Sequence, residues 1–161
     1  MDHSLLLKKY AVKYLSKYDS TKKNLERVLR NKIRRINYAN KDEKIFLFKL
    51  IFIIIDELES KQILNDARYT NKKIIYFSSQ GKSKRFIQNY LLQKGIEKNL
   101  INSALEDFEL NNPDWEFKSA KIFVRKKISG LNDKKNKEKN LAKMSRAGFN
   151  YNISKKMLGL N

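Results

Sequence analysis

The stretch LLQKGIEKNLINSAL, residues 91–105, stops one helix at Gly95 and opens another three residues later, and the device returns as MSRAGFNYNISKKML, residues 144–158. A glycine just past a helix end adopts the left-handed conformation that other residues resist, and the next residue then folds back onto the third position from the end. On that geometry Ile96 meets Leu91, and Phe149 meets Met144. A shift of 53 residues lays Gly95 on Gly148, and Leu100, Ala104 and Leu105 on Ile153, Met157 and Leu158. Two modules of one helical design are predicted.

Other turn-forming residues are scarce. Five glycines and one proline, Pro113, in 161 residues leave helices uninterrupted and starve a turn-rich β-sandwich, so the expected fold class is all-α. The one stretch that invites another reading is IFLFKLIFIII, residues 45–55. Its β-branched residues would suit a strand. Against that, NKDE before it supplies a capping box, with Asn40 accepting from the N–H of Glu43 and Glu43 reaching back, and DELESKQ after it is polar; a helix over 41–61 is preferred. Interrupted by Lys49, the run is too short for the roughly twenty residues of a membrane span. The opening MDHSLLLKKY is likewise too short an apolar segment for a secretory signal.

Elsewhere, Leu5, Ala11, Val12 and Leu15 form the apolar face of a helix over 4–17. Ser20 or Thr21 caps a second helix with Leu25, Val28 and Leu29 inward. Asn65 and Asp66 are cap candidates for a helix to about Phe77, with Asp66 read as a cap and not as a catalytic acid. Gly81 makes a break, and Ser83 caps the helix from Lys84 to Lys94. Asn112 as cap, with Pro113 at the first helical position, opens a last set in which Trp115, Phe117, Ile122 and Phe123 pack. At a shift of 62, Leu7, Val12, Leu15, Leu25 and Leu29 fall on Tyr69, Ile74, Phe77, Ile87 and Leu91, with Ile33 where Gly95 would stand. The expected architecture is three tandem three-helix modules, residues 1–65, 66–112 and 113–161, forming an elongated curved array. Such a chain satisfies its own core as a monomer.

Thirty-six Lys and Arg against seventeen Asp and Glu give a formal charge of +19, a field suited to phosphates or to an acidic protein surface. AT-rich coding would explain lysine over arginine but not lysine over glutamate. The excess is uneven: residues 4–38 carry eleven basic and two acidic side chains, residues 113–161 thirteen and four, and residues 41–112 twelve and ten. Candidate contacts are Lys82, Lys84, Arg85 and Lys94 around the helix after Gly81. Lys121, Arg125 and Lys126 form a strip on one helix face. Lys134, Lys135, Lys137 and Lys139 open a helix at the end where positive charge opposes the dipole unless an anion is near, with Asp133 as a softening cap. Each lysine has the alternative of a solvated helix surface. Arg85 is favoured because a guanidinium grips phosphate or carboxylate with two prongs.

Chemistry that needs other residues is excluded. With no cysteine and only His3, thiolate metal sites, imidazole clusters and Ser-His-Asp or Cys-His catalysis lack their parts, and no metal or cofactor is called for. Absence of cysteine also fits a cytosolic protein. The carboxylate sets Asp56, Glu57, Glu59 and Glu106, Asp107, Glu109 have helical, solvent-facing spacings. Trp115, Tyr90 and Phe149 could stack on bases but are better read as packing residues. Gly81, Gly95 and Gly148 carry shape.

The combination ILNDARYTNKKI, SSQGKSKRFIQNYLLQKGI and SRAGFNYNISKKML resembles the bacterial RecX family of recombination regulators. The resemblance covers the second module best and the third moderately. It implies an all-helical protein of three tandem three-helix repeats that is a regulator and not an enzyme. Its implied partner is the RecA nucleoprotein filament: the protein lodges in the filament groove and interferes with ATP turnover, strand exchange and repressor cleavage. The basic flanks imply contact with single-stranded or double-stranded DNA. The competing reading is a general nucleic-acid-binding protein that sets helices in a groove in the manner of helix-turn-helix domains.

Overall fold

The computed structural model describes residues 3–36, 40–130 and 134–160, with the side chains of Lys134 and Lys135 outside the description. Among the described residues, all regular structure is α-helical: α1 His3–Leu15, α2 Lys22–Ile33, α3 Lys41–Ser60, α4 Asp66–Ser79, α5 Lys84–Gln93, α6 Lys98–Asn111, α7 Trp115–Lys127, α8 Lys134–Arg146 and α9 Tyr151–Leu158. Among them no helix is long and apolar enough to cross a membrane. The chain divides into two compact units, Met1–Tyr69 with Lys94–Ile96, and Thr70–Gln93 with Glu97–Asn161.

The first unit is built around α3. Leu47, Leu50, Ile51, Ile54, Ile55 and Leu58 are buried there at i, i+3, i+4, i+7, i+8 and i+11, the stripe of a core-facing helix. They join Leu7 and Ala11 of α1 and Leu25, Leu29 and Ile33 of α2 in one cluster, each fully buried Leu or Ile contributing roughly 1.5–3 kcal/mol. Asn40 Oδ1 accepts from the Glu43 N–H at 2.9 Å. The Glu43 carboxylate also pairs with His3 Nδ1, which ties the first turn of α1 to α3.

The inward face of α1 differs from the sequence expectation, since Leu5 and Val12 are 49% and 53% exposed. Leu7 and Ala11 point inward, with Tyr10 and Tyr14 packed beside them. That i, i+3, i+4, i+7 stripe is hidden from a reading that counts aliphatic residues only. The C-terminus of α3 is closed without glycine: Gln62 takes φ +55°, and the Ile63 and Leu64 N–H groups both donate to the Leu58 carbonyl, at 3.0 and 3.1 Å.

In the second unit Ile74, Ile87, Leu91, Ile101, Leu105, Trp115, Ala120, Met144 and Phe149 are buried. Phe77 of α4 meets the rings of Phe86 and Tyr90 edge-on at 5.3 and 4.6 Å. The Phe149 N–H donates to the Met144 carbonyl at 3.1 Å past Gly148, the back-folding expected of a left-handed helix end. α7 starts two residues later than the Asn112–Pro113 signal implies. The Asn112 amide is spent backwards, Nδ2 donating to the Phe108 carbonyl near the end of α6, and Pro113 sits in the turn closed by Trp115 N–H to Asn112 O at 3.0 Å. Trp115 and Phe149 are interior side chains, edge-on or tilted against Phe108 and Phe123, which accounts for them as packing residues.

Candidate functional site

Each unit holds one copy of the same hydrogen-bonded lock. In the first, Thr21 Oγ1 accepts from the Asn24 N–H at 3.1 Å and donates to the Lys94 carbonyl at 2.6 Å. In the second, Ser83 Oγ accepts from the Phe86 N–H at 3.2 Å and donates to the Ala147 carbonyl at 2.7 Å. The next residue repeats as well. The Lys22 N–H donates to Asp66 Oδ1 and its Nζ pairs with Glu59, both at 2.9 Å; the Lys84 N–H donates to Glu116 Oε1 at 2.9 Å and its Nζ pairs with Glu109 at 2.8 Å. A helix start with free N–H groups and a partial positive charge is thus met twice by a carboxylate from another helix.

A glycine completes each lock. Gly95 (φ +78°) lies so close to Lys23 that an added Cβ would stand 2.4 Å from the Lys23 Cβ, and Gly148 (φ +90°) so close to Ser83 that it would stand 2.6 Å from the hydroxyl. Gly81 also has positive φ, +82°, and abuts Ile122 and Phe123. Asp66 therefore caps α2, while Asn65 caps its own helix, Oδ1 accepting from the Arg68 N–H at 2.8 Å. Burial pushes the Glu116 carboxyl above the usual carboxylate range, against the opposing pull of the Lys84 N–H and ammonium.

The basic candidates divide into spent and unspent charges. Lys84 is spent on Glu109. Lys82 lays its ammonium 4.6 Å from the Phe86 ring centroid, and Lys121 stands 4.9 Å from the Phe117 ring, which Lys156 also faces at 5.0 Å. Lys94 belongs to the first unit, where its carbonyl serves the Thr21 lock. Arg85, Arg125, Lys126 and Lys139 are exposed with no hydrogen bond or ion pair among the described residues, and Lys137 is half-buried. Arg125 and Lys126 stand in the last turn of α7, where cations also complement the helix dipole. The side chains of Lys134 and Lys135, and Asp133 entirely, lie outside the described residues.

An open cleft of about 600 Å³ runs beside α5, lined by Arg85, Phe86, Asn89, Tyr90 and Gln93 on one side and Ser145 to Gly148 on the other. Two guanidiniums, Arg85 and Arg146, stand on it, and no carboxylate does.

No protein-family model matches the chain. It is 28% identical to regulatory protein RecX of Myxococcus xanthus (strain DK1622), over 96% of this chain and 85% of that relative. It is 33% identical to regulatory protein RecX of Streptococcus agalactiae (serotype III, strain NEM316), over 66% of this chain and 41% of that longer relative. The chain is similar to a regulatory protein RecX along nearly its whole length. The crystal structure of RecX from Lactobacillus salivarius matches its fold with a TM-score of 0.71 at 21% identity, covering 98% of this chain and 96% of that one. A second crystal structure, of regulatory protein RecX, gives 0.69 at 19% identity, over 99% and 73%.

Among the residues on the cleft, the sequence reading missed Arg146. It lies in the SRAGF segment that carries the family resemblance, but only the return of the chain through Gly148 sets it on the same cleft as Arg85. Asn89 and Gln93 were missed for the same reason. The helical signal was present, because Arg85, Asn89 and Gln93 recur at i, i+4 and i+8 on one face of α5.

Proposed function

We propose that this RecX-like protein binds the RecA filament on DNA and restrains it, lowering ATP turnover, strand exchange and stimulated repressor cleavage, as a regulator and not as an enzyme. The observation that carries the reading is the match to a regulatory protein RecX along 96% of the chain. The recurring locks support a division into three consecutive modules, 1–65, 66–112 and 113–161. Thr21 and Ser83 stand at the 62-residue offset of the first two modules, and Gly95 and Gly148 at the 53-residue offset of the last two. A chain of like modules suits a periodic polymer, because several modest contacts on one ligand act at high effective concentration. The net charge of +19 supports a DNA-dependent component, steering the protein to the filament and weakening with salt.

The test is an ATPase and strand-exchange assay with the cognate RecA, titrating the protein at several salt concentrations. Suppression of DNA-dependent ATP hydrolysis at substoichiometric amounts is expected. Binding to any DNA with no preference for the filament would overturn the reading in favour of a general nucleic-acid-binding protein.

A further inference from the structure

We infer that the cleft beside α5 is a binding site for single-stranded nucleic acid, with a phosphate held by Arg85 and Arg146 and an unstacked base laid against Tyr90. The inference rests on the filament reading for its setting, and on the chemistry of the cleft for its content. Arg85, Asn89 and Gln93 line it, are exposed and make no hydrogen bond or ion pair among the described residues. Arg146 uses its Nε, donating to the Ala142 carbonyl at 3.2 Å, which leaves the two terminal nitrogens of its fork for a ligand. A guanidinium pair with no carboxylate on the lining selects an anion.

The rest of the lining says which anion. Asn89 and Gln93 each offer a donor and an acceptor on one rigid helix face, the combination that pairs with base edges. Beside them Phe86 and Tyr90 form a parallel aromatic stripe at i and i+4. Tyr90 is held by the ring of Phe77 at 4.6 Å, so the platform is set before a ligand arrives and little side-chain freedom remains to be lost. Aromatic platforms beside a cationic groove are how sequence-tolerant single-strand binding is achieved. A concavity of about 600 Å³ admits an unstacked base, whereas a duplex keeps its bases paired and offers only its phosphates. An acidic peptide would satisfy the arginines but would leave the amides and the aromatic stripe without a matching partner.

The opposite wall is fixed by the lock. The Ala147 carbonyl is taken up by Ser83, so it does not present a bare acceptor to the anion. Gly148 has no side chain, and any Cβ there would collide with Ser83.

The experiment uses the 161-residue chain without any recombinase, fluorescence-labelled oligothymidylate and a duplex of equal length. Three proteins are compared: wild type, Arg85→Ala/Arg146→Ala and Tyr90→Leu, the last keeping an apolar side chain against Phe77. Wild type is expected to prefer the single strand. The double arginine variant should bind it about tenfold more weakly and lower the salt slope by about 0.7, the value for one phosphate on a single strand. Tyr90→Leu should lose about fivefold on the single strand with an unchanged salt slope, because stacking releases no counterion. Circular dichroism and melting establish that the variants are folded. The inference is overturned if folded variants bind oligothymidylate as wild type does, or if both lose single strand and duplex equally. It is also overturned if oligoglutamate binds the cleft more tightly than oligothymidylate at the same ionic strength. Because RecA is absent, any of these results leaves the filament reading to be judged by the ATPase assay alone.

Discussion

The Ser83 hydroxyl donates to the Ala147 carbonyl at 2.7 Å, so the side chain that caps the start of α5 also closes the turn after α8, 64 residues away in sequence. Thr21 does the same between α2 and the Lys94 carbonyl. A hydroxyl suits both duties, because its oxygen accepts from a helix N–H while its proton goes to a carbonyl. An aspartate or asparagine cap would accept as well but could not place a single donor in the same position.

Ser83→Ala therefore removes two interactions at once. Loss of a cap costs about 1 kcal/mol, and a carbonyl left without its partner adds about 1–3 kcal/mol. A loss of about 2–4 kcal/mol in urea unfolding is expected, with Ser83→Thr close to wild type. A loss below about 0.5 kcal/mol, the range of an ordinary surface change, would show that the hydroxyl closes nothing.

Gly148→Ala and Gly95→Ala are both expected to destabilise by more than about 1 kcal/mol, because each forces a side chain onto a positive φ. They differ in their neighbours. The added methyl at 148 meets the Ser83 hydroxyl at 2.6 Å, and that at 95 meets the Lys23 Cβ at 2.4 Å. Truncating Ser83 removes the first obstacle, so Gly148→Ala should cost less in a Ser83→Ala background than in wild type, a coupling read from a double-mutant cycle. Lys23→Ala removes the Cγ that would stand 2.5 Å away but leaves the Cβ at 2.4 Å, so Gly95→Ala should be relieved less in that background than Gly148→Ala is in Ser83→Ala.

What could be read from the residues and what could not follow one physical line. Caps and glycine turns act within about four residues, so Asn40, Thr21, Ser83 and Gly148 announce themselves locally. Asp66 and Asn65 are both short acceptors before a helix, and only the arrival of Lys22 decides that Asp66 serves α2. Asn112 turned back to α6 for a similar reason, since a side-chain amide has no local instruction about which helix to finish. Gln62 at φ +55° carries no signal, because the position is one that glycine or asparagine would ordinarily mark. The cleft was invisible because its walls come from segments about fifty residues apart, joined only when the chain closes.

Glu116→Gln isolates a charge from a hydrogen bond. The amide keeps an oxygen for the Lys84 N–H, which Glu116 accepts at 2.9 Å, but carries no charge to bury. Burial raises the Glu116 carboxyl above its unfolded value, with the Lys84 N–H and ammonium pulling the other way. A raised carboxyl binds its proton more readily in the folded state, so its contribution is favourable at acid pH and is lost as pH rises through the folded value. Glu116→Gln should accordingly gain stability relative to wild type at neutral pH, and the difference should shrink as pH falls through the carboxylate range. Urea unfolding at a series of pH values checks the sign; a variant that is least favourable at neutral pH would show that the carboxylate is held by attraction.

Lys84→Met and Arg125→Ala/Lys126→Ala separate spent from unspent charge. Lys84 is paired with Glu109, the two side chains being 34% and 47% exposed, so solvent screening keeps the pair below about 1 kcal/mol. Its replacement should lower stability slightly and leave the proposed RecA inhibition and its salt dependence unchanged. Arg125 and Lys126 support the last turn of α7 only through the helix dipole, about 0.5 kcal/mol each. Their removal should weaken the proposed inhibition of RecA at low salt severalfold and flatten its salt dependence, because two charges no longer displace counterions. Parallel melts and ATPase titrations at two ionic strengths read both quantities on the same proteins. Equal loss of inhibition from the two variants would mean that net charge alone sets the affinity, and that the partition of cations within the fold has no bearing on the filament.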